Sequence, residues 1–131
     1  MGKFFSGGRR LKILAATSGS LPARKRADYI VDIAEKLDAE LIVLHVVAGQ
    51  KDYADGEKAL DIFKWKKRSK PLKSILRIGE LSSTIAKTAN VEEVDLIVLG
   101  IEGGIDSLNN ICRDVAHETE VPILLVPDLQ S

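Results

Sequence analysis

Short apolar runs alternate along this chain with stretches whose apolar residues recur every three or four positions, and that alternation predicts an α/β fold. Five runs predict strands: Leu11 to Ala16, Glu40 to Val47 (ELIVLHVV), Leu72 to Ile78, Asp95 to Gly100 and Val121 to Pro127 (VPILLVP). Leu96-Ile97-Val98-Leu99 has no polar alternation. Such a run suits a parallel sheet covered by helices on both faces, whereas a half-exposed antiparallel strand would alternate. Leu72 to Ile78 alternates more and is expected at an edge.

The segments between the strands carry helical stripes. Ala23, Ala27, Ile30, Val31, Ala34 and Leu37 line one face of the first helix. Ser20 stands in capping position, and Pro22 lies near the first turn, where its missing N–H costs nothing. Ala48 to Gly56 reads as a polar loop, and Glu57 to Ser69 as a helix with Leu60, Ile62, Phe63 and Trp65 among lysines, stopped by Pro71. Leu81, Ile85, Ala89 and Val91 mark a third helix, with Glu80 and Ser82 near its N-terminus. Leu108, Ile111, Cys112, Val115 and Ala116 mark a fourth, in which Cys112 is expected to pack as a small apolar group. Consecutive strands joined through helices make right-handed βαβ units the default.

Composition narrows the class. The chain has 131 residues, enough for one substantial core and too few for two. Its 45% hydrophobic content with only 5% aromatics suits a Val/Ile/Leu/Ala core. Residues 1–10 (MGKFFSGGRR) show no period and are expected to form a flexible arm, leaving 11–131 as the domain. The arm matches a short N-myristoylation pattern, which by itself carries little weight. The longest apolar run cannot span a bilayer, so no membrane partner is expected. A single cysteine, Cys112, excludes an internal disulfide and points to a reducing, cytoplasmic compartment. With only His45 and His117 beside it, no metal site is expected. His45, inside the second strand with no nucleophile or carboxylate nearby in sequence, is expected to be a hydrogen-bonded structural residue.

The net charge is zero, yet residues 1–79 carry 17 Lys/Arg against 9 Asp/Glu while residues 80–131 carry 2 against 10. A solvated, dipolar surface accounts for this, and a self-complementary dimer would use it. Lysines and one arginine surround Trp65, but one stacking aromatic and an acidic second half argue against nucleic acid.

Gly100, Gly103 and Gly104 follow the fourth strand. Glycines there allow a tight strand-to-helix turn, and they also let backbone N–H groups approach a phosphate. A lone GxxG does not separate the two.

The order of motifs resembles that of the universal stress protein family over residues 11–127. KILAATSGS is similar to the family's "ILVAVDGS", AEKLDAELIVLHVV to its "A..L.A.L.LLHV", and EEVDLIVLGIEGG to its "DLIVMGSRG". The resemblance implies a three-layer, doubly wound parallel five-stranded sheet of order 3-2-1-4-5, Rossmann-like and of the adenine nucleotide alpha hydrolase type, with a cleft between strands 1 and 4. It also implies a homodimer through the last strand, here Val121, Ile123, Leu124, Leu125 and Val126.

In the family's ATP-binding branch an acidic residue follows the first strand, a backbone group at the end of the second reads adenine, and a G-x2-G-x9-G-[ST] loop holds ribose and phosphates. Gly100 and Gly103 fit the first two glycines, but counting onward reaches Arg113 and Asp114. Aligning backwards from VPILLV places Asn109 and Asn110 on G-[ST] with the loop four residues short, and Ser18 replaces the acid. Two functions follow. One is an ATP- or AMP-binding regulatory protein in which Gly100, Gly103, Asn109 and Asn110 contact ribose or phosphate, Thr17 and Ser18 line the cleft, and the Val46 backbone reads adenine. The other is a dimeric stress-response module in which the eroded loop is a short connection. The departures favour the second. No catalytic residue is assigned, because the loop shows no general base, metal ligand set or arginine clamp.

Overall fold

The computed structural model describes residues 10–17, 24–64, 72–100 and 105–126. In chain order these form β1 (Lys12–Thr17), α1 (Arg24–Lys36), β2 (Glu40–Val47), a single 3-10 turn (Gln50–Asp52), α2 (Tyr53–Lys64), β3 (Leu72–Ile78), α3 (Leu81–Glu92), β4 (Leu96–Gly100), α4 (Ile105–Ala116) and β5 (Ile123–Val126). The strands pair in parallel as one five-stranded sheet of order β3-β2-β1-β4-β5. The arm expected over residues 1–10 lies, save Arg10, outside the described residues.

Strand alternation divides the core. Leu14, Ala16, Ile42, Leu44, Ile97 and Leu99 pack with Ile85, Ala86 and Ala89 of α3 and Val115 of α4. Their neighbours Ile13, Ala15, Leu41, Val43 and Val98 face the other way, onto Ala27, Ile30 and Ala34 of α1 and Leu60 and Phe63 of α2. Both faces of β1, β2 and β4 are therefore dry, which is why these strands read as apolar runs, broken in β2 only by the buried His45. Cys112 is half-buried and packs against the α3/α4 core, as a small apolar group should.

Polar contacts at the amino ends of the strands hold the register. The Lys12 amide donates to Asp95 Oδ2 at 2.9 Å, and Lys12 Nζ donates to the Glu92 carbonyl at 3.1 Å. Asp95 thus stands just before β4 as a side-chain anchor rather than as its first residue.

Two helix boundaries differ from the sequence-based expectation. The stretch 48–56 is not all loop, since α2 starts at Tyr53 and takes in Gly56. That glycine sits against the sheet: a Cβ there would stand 2.7 Å from Leu76 Cδ1 and 3.1 Å from both His45 Cδ2 and Val47 Cγ1. Its function is close approach, not a turn. The other change is that α4 begins at Ile105, so only residues 101–104 separate it from the end of β4 at Gly100. At the far edge, β5 is limited to the four residues Ile123–Val126.

Candidate functional site

In a doubly wound sheet the loops that follow the strands gather at their carboxyl ends, and a crevice opens where successive connections leave for opposite faces. Here that point lies between β1, followed by α1 on one face, and β4, followed by α4 on the other. Thr17 is the last residue of β1 and pairs with His45; Gly100 is the last of β4 and pairs with Val126. Val46 lies one residue beyond that pairing, near the carboxyl end of β2, with its side chain buried on the α3/α4 face. The fold therefore brings Thr17, Val46 and Gly100 to one end of the sheet. Ser18 and Gly103 lie outside the described residues.

Asn109 and Asn110 are placed differently from a loop. They are the fifth and sixth residues of α4, where α-helical geometry commits their backbone N–H groups to carbonyls one turn earlier. Only the first turn of a helix leaves its N–H groups unspent. Asn110 is exposed, and its Oδ1 accepts a hydrogen bond from Arg113 Nη2 at 2.9 Å.

A second helix terminus opens towards the same end of the sheet and is already occupied by the chain itself. Glu80 caps α3, accepting from the Ser83 amide at 2.8 Å, the Ser82 amide at 3.2 Å and Ser83 Oγ at 2.8 Å. The Ser83 amide, then its hydroxyl and the Ser82 amide, hold the Glu80 carboxyl below the usual carboxylate range. Ser82 itself is buried, and among the described residues its Oγ has no hydrogen-bond partner. The sequence marks Ser82 only as a polar residue near a helix start, so nothing in it signals this burial.

His45 is only 3% exposed, and burial pushes its pKa below the ordinary histidine value of 6.5. The unfolded chain therefore takes up a proton at a higher pH than the folded one. His45 contributes full stability above pH 6.5, and the contribution is lost as pH falls from there towards the folded value. Between pH 7.5 and 5.5 this loss is at most about 1.4 kcal/mol. Thermal melts should show the wild type losing more over that interval than His45→Gln; parallel losses would remove His45 as the cause.

Among the described residues no group of His, Cys, Asp and Glu is arranged to hold a metal ion, and no helix is long and apolar enough to cross a membrane. No curated protein matches the chain in sequence. Solved structures do match its fold. A universal stress protein in complex with cAMP is 21% identical, with a TM-score of 0.69 over 91% of this chain and 98% of that one. The Archaeoglobus fulgidus universal stress protein in complex with dAMP is 20% identical, with a TM-score of 0.65 over 88% and 96%. A universal stress protein family protein from Arabidopsis thaliana with AMP bound is 16% identical, with a TM-score of 0.65 over 91% and 92%. The sequence profile of the universal stress protein family matches residues 10–127, nearly the whole domain. The chain belongs to the universal stress protein family.

Proposed function

We propose that this chain is a dimeric stress-response module whose cleft binds adenine nucleotides weakly or not at all. The observation that carries this reading is the four-residue connection between Gly100 and Ile105. A G-x2-G-x9-G-[ST] loop needs far more chain before its helix, and here α4 has already taken up Asn109 and Asn110. Few backbone N–H groups are then left for phosphates, and each charge-assisted hydrogen bond forgone weakens binding. Ser18 in place of an acid removes a further anchor for the nucleoside.

Self-association through β5 completes the proposal. Ile97 donates its amide to the Pro122 carbonyl at 2.9 Å, so alternation turns the backbone groups of Ile123 and Leu125 outward from the sheet. Antiparallel pairing with a second copy about a two-fold axis at Leu124 would satisfy both residues in both copies, with about four new hydrogen bonds. Val121, Ile123 and Leu125 are half-buried and Leu124 is 39% exposed, an apolar edge that pairing would cover. The module's compartment is a reducing cytoplasm, supported by a single, half-buried cysteine.

The second reading, an adenine-nucleotide-binding regulatory protein, is favoured by the cAMP, dAMP and AMP bound to structurally similar relatives and by the convergence of Thr17, Val46 and Gly100. The two separate on purification. Protein denatured after isolation should release no stoichiometric nucleotide; roughly one adenine nucleotide per chain would establish the second reading.

A further inference from the structure

We propose that the outer edge of β3 is a docking site for an extended acidic segment of another protein, added to the sheet as a sixth strand. Among the described residues no strand lies on that side of β3. The Gly79 amide donates to the Val47 carbonyl at 3.0 Å, so Arg77, Ile75 and Lys73 turn their backbone groups towards β2. Alternation then points the N–H and C=O groups of Leu72, Ser74, Leu76 and Ile78 outward. This edge is seven residues long, against four in β5.

A groove runs along each face of the edge. On the α2 side one of about 650 Å³ is lined by Tyr53, Leu60 and Leu76 with Glu57 and Asp61, and reaches Lys73 and Arg77 at the edge. On the α3 side one of the same size is lined by Arg77, Ile78, Lys87 and Val91 with Glu80 and Glu92. Ile78 is 49% and Val91 69% exposed, so the second groove leaves apolar surface in water. Successive side chains of an added strand would enter the two grooves in turn, which is how strand addition gains specificity.

Charge selects the occupant. Lys73 and Arg77 are the only charged residues of β3, and both are exposed on its α3 face, four residues apart. In the antiparallel self-pairing that engages the whole strand, Lys73 would stand opposite Arg77 of a second copy, and like charges there oppose it. A strand with carboxylates at positions i and i+4 reverses the sign of both contacts. Arg77 Nη1 now donates to the Leu76 carbonyl at 3.2 Å, covering one outward acceptor. Moving to a carboxylate would free that carbonyl for the ladder. Lys73 Nζ lies 3.1 Å from Glu92 Oε1 and keeps donors to spare, so Arg77 contributes more to selection than Lys73 does.

The test uses the full chain labelled for amide NMR, titrated with the peptide acetyl-VEVTVEV-amide and with acetyl-VKVTVKV-amide. Shifts concentrated on Leu72, Ser74, Leu76 and Ile78, with the acidic peptide binding at least about tenfold tighter, are the expected result. Ser74→Pro removes an outward N–H without touching the β2 ladder and should abolish binding while the melting temperature stays close to wild type. Arg77→Glu should reverse the peptide preference. Equal binding of the two peptides, shifts confined to β5, or binding retained in Ser74→Pro would each overturn the proposal.

Discussion

Replacing Gly56 with valine is expected to lower stability by about 3 kcal/mol, near the upper end for overpacking in a dense core. The cause is geometric. A Cβ at this position already stands 2.7 Å from Leu76 Cδ1 and 3.1 Å from His45 Cδ2 and Val47 Cγ1, before valine's two methyl groups are added. Leu76 Cδ1 is the end of a flexible side chain and can turn aside. The other two neighbours belong to β2, an inner strand of the sheet, and are only 3% and 6% exposed. The helix must therefore lift, and Leu60 and Phe63 lose their packing with it. For a domain of this size the melting temperature should fall by roughly 10 °C. Gly56→Ala, which gains about 1 kcal/mol of helix propensity, should fall between glycine and valine. If valine melts with the wild type, α2 is not held this close to β2 and β3.

The second large effect concerns assembly. Leu124→Lys should convert a dimer into a monomer, because in β5 pairing about a two-fold axis residue 124 faces itself. Non-hydrogen-bonded pairs bring Cα atoms to about 4.5 Å. Two ammonium groups held that close, in place of two leucines, repel and also lose the apolar contact. The substitution is mild for the protomer, since Leu124 is 39% exposed. Sedimentation at tens of micromolar should show a wild-type dimer and a folded variant monomer, whose melting temperature drops only by the mass-action stabilisation that dimerisation supplied. A wild-type monomer, or a variant that still dimerises, would contradict the β5 interface.

Particular residues show what the sequence makes legible. β2 and β3 stand where their sequence patterns place them, Glu40–Val47 and Leu72–Ile78: β2, buried from Leu41 to Val47, tolerates few polar residues, whereas β3 alternates. The edge position of β3 is visible in its exposed Lys73 and Arg77. The start of α2 is hidden, because Gly56 and its polar neighbours carry the composition of a loop while the reason for the glycine lies across the chain in His45 and Leu76. The same holds for the site. Thr17, Val46 and Gly100 can be expected at one end, since every parallel strand delivers its last residue there. Spacing alone, however, does not tell whether Asn109 and Asn110 stand in a loop or inside a helix, and the start of α4 at Ile105 puts them inside.

Calorimetric titration of the purified chain with ATP, AMP, cAMP and dAMP tests the central claim most directly. A cleft with a four-residue connection between β4 and α4 should give no measurable heat, or dissociation constants of roughly 100 μM and weaker, corresponding to about −5.5 kcal/mol at most. Binding of any one of them at low micromolar affinity or tighter would contradict it, and would mean that the short connection still holds a nucleotide.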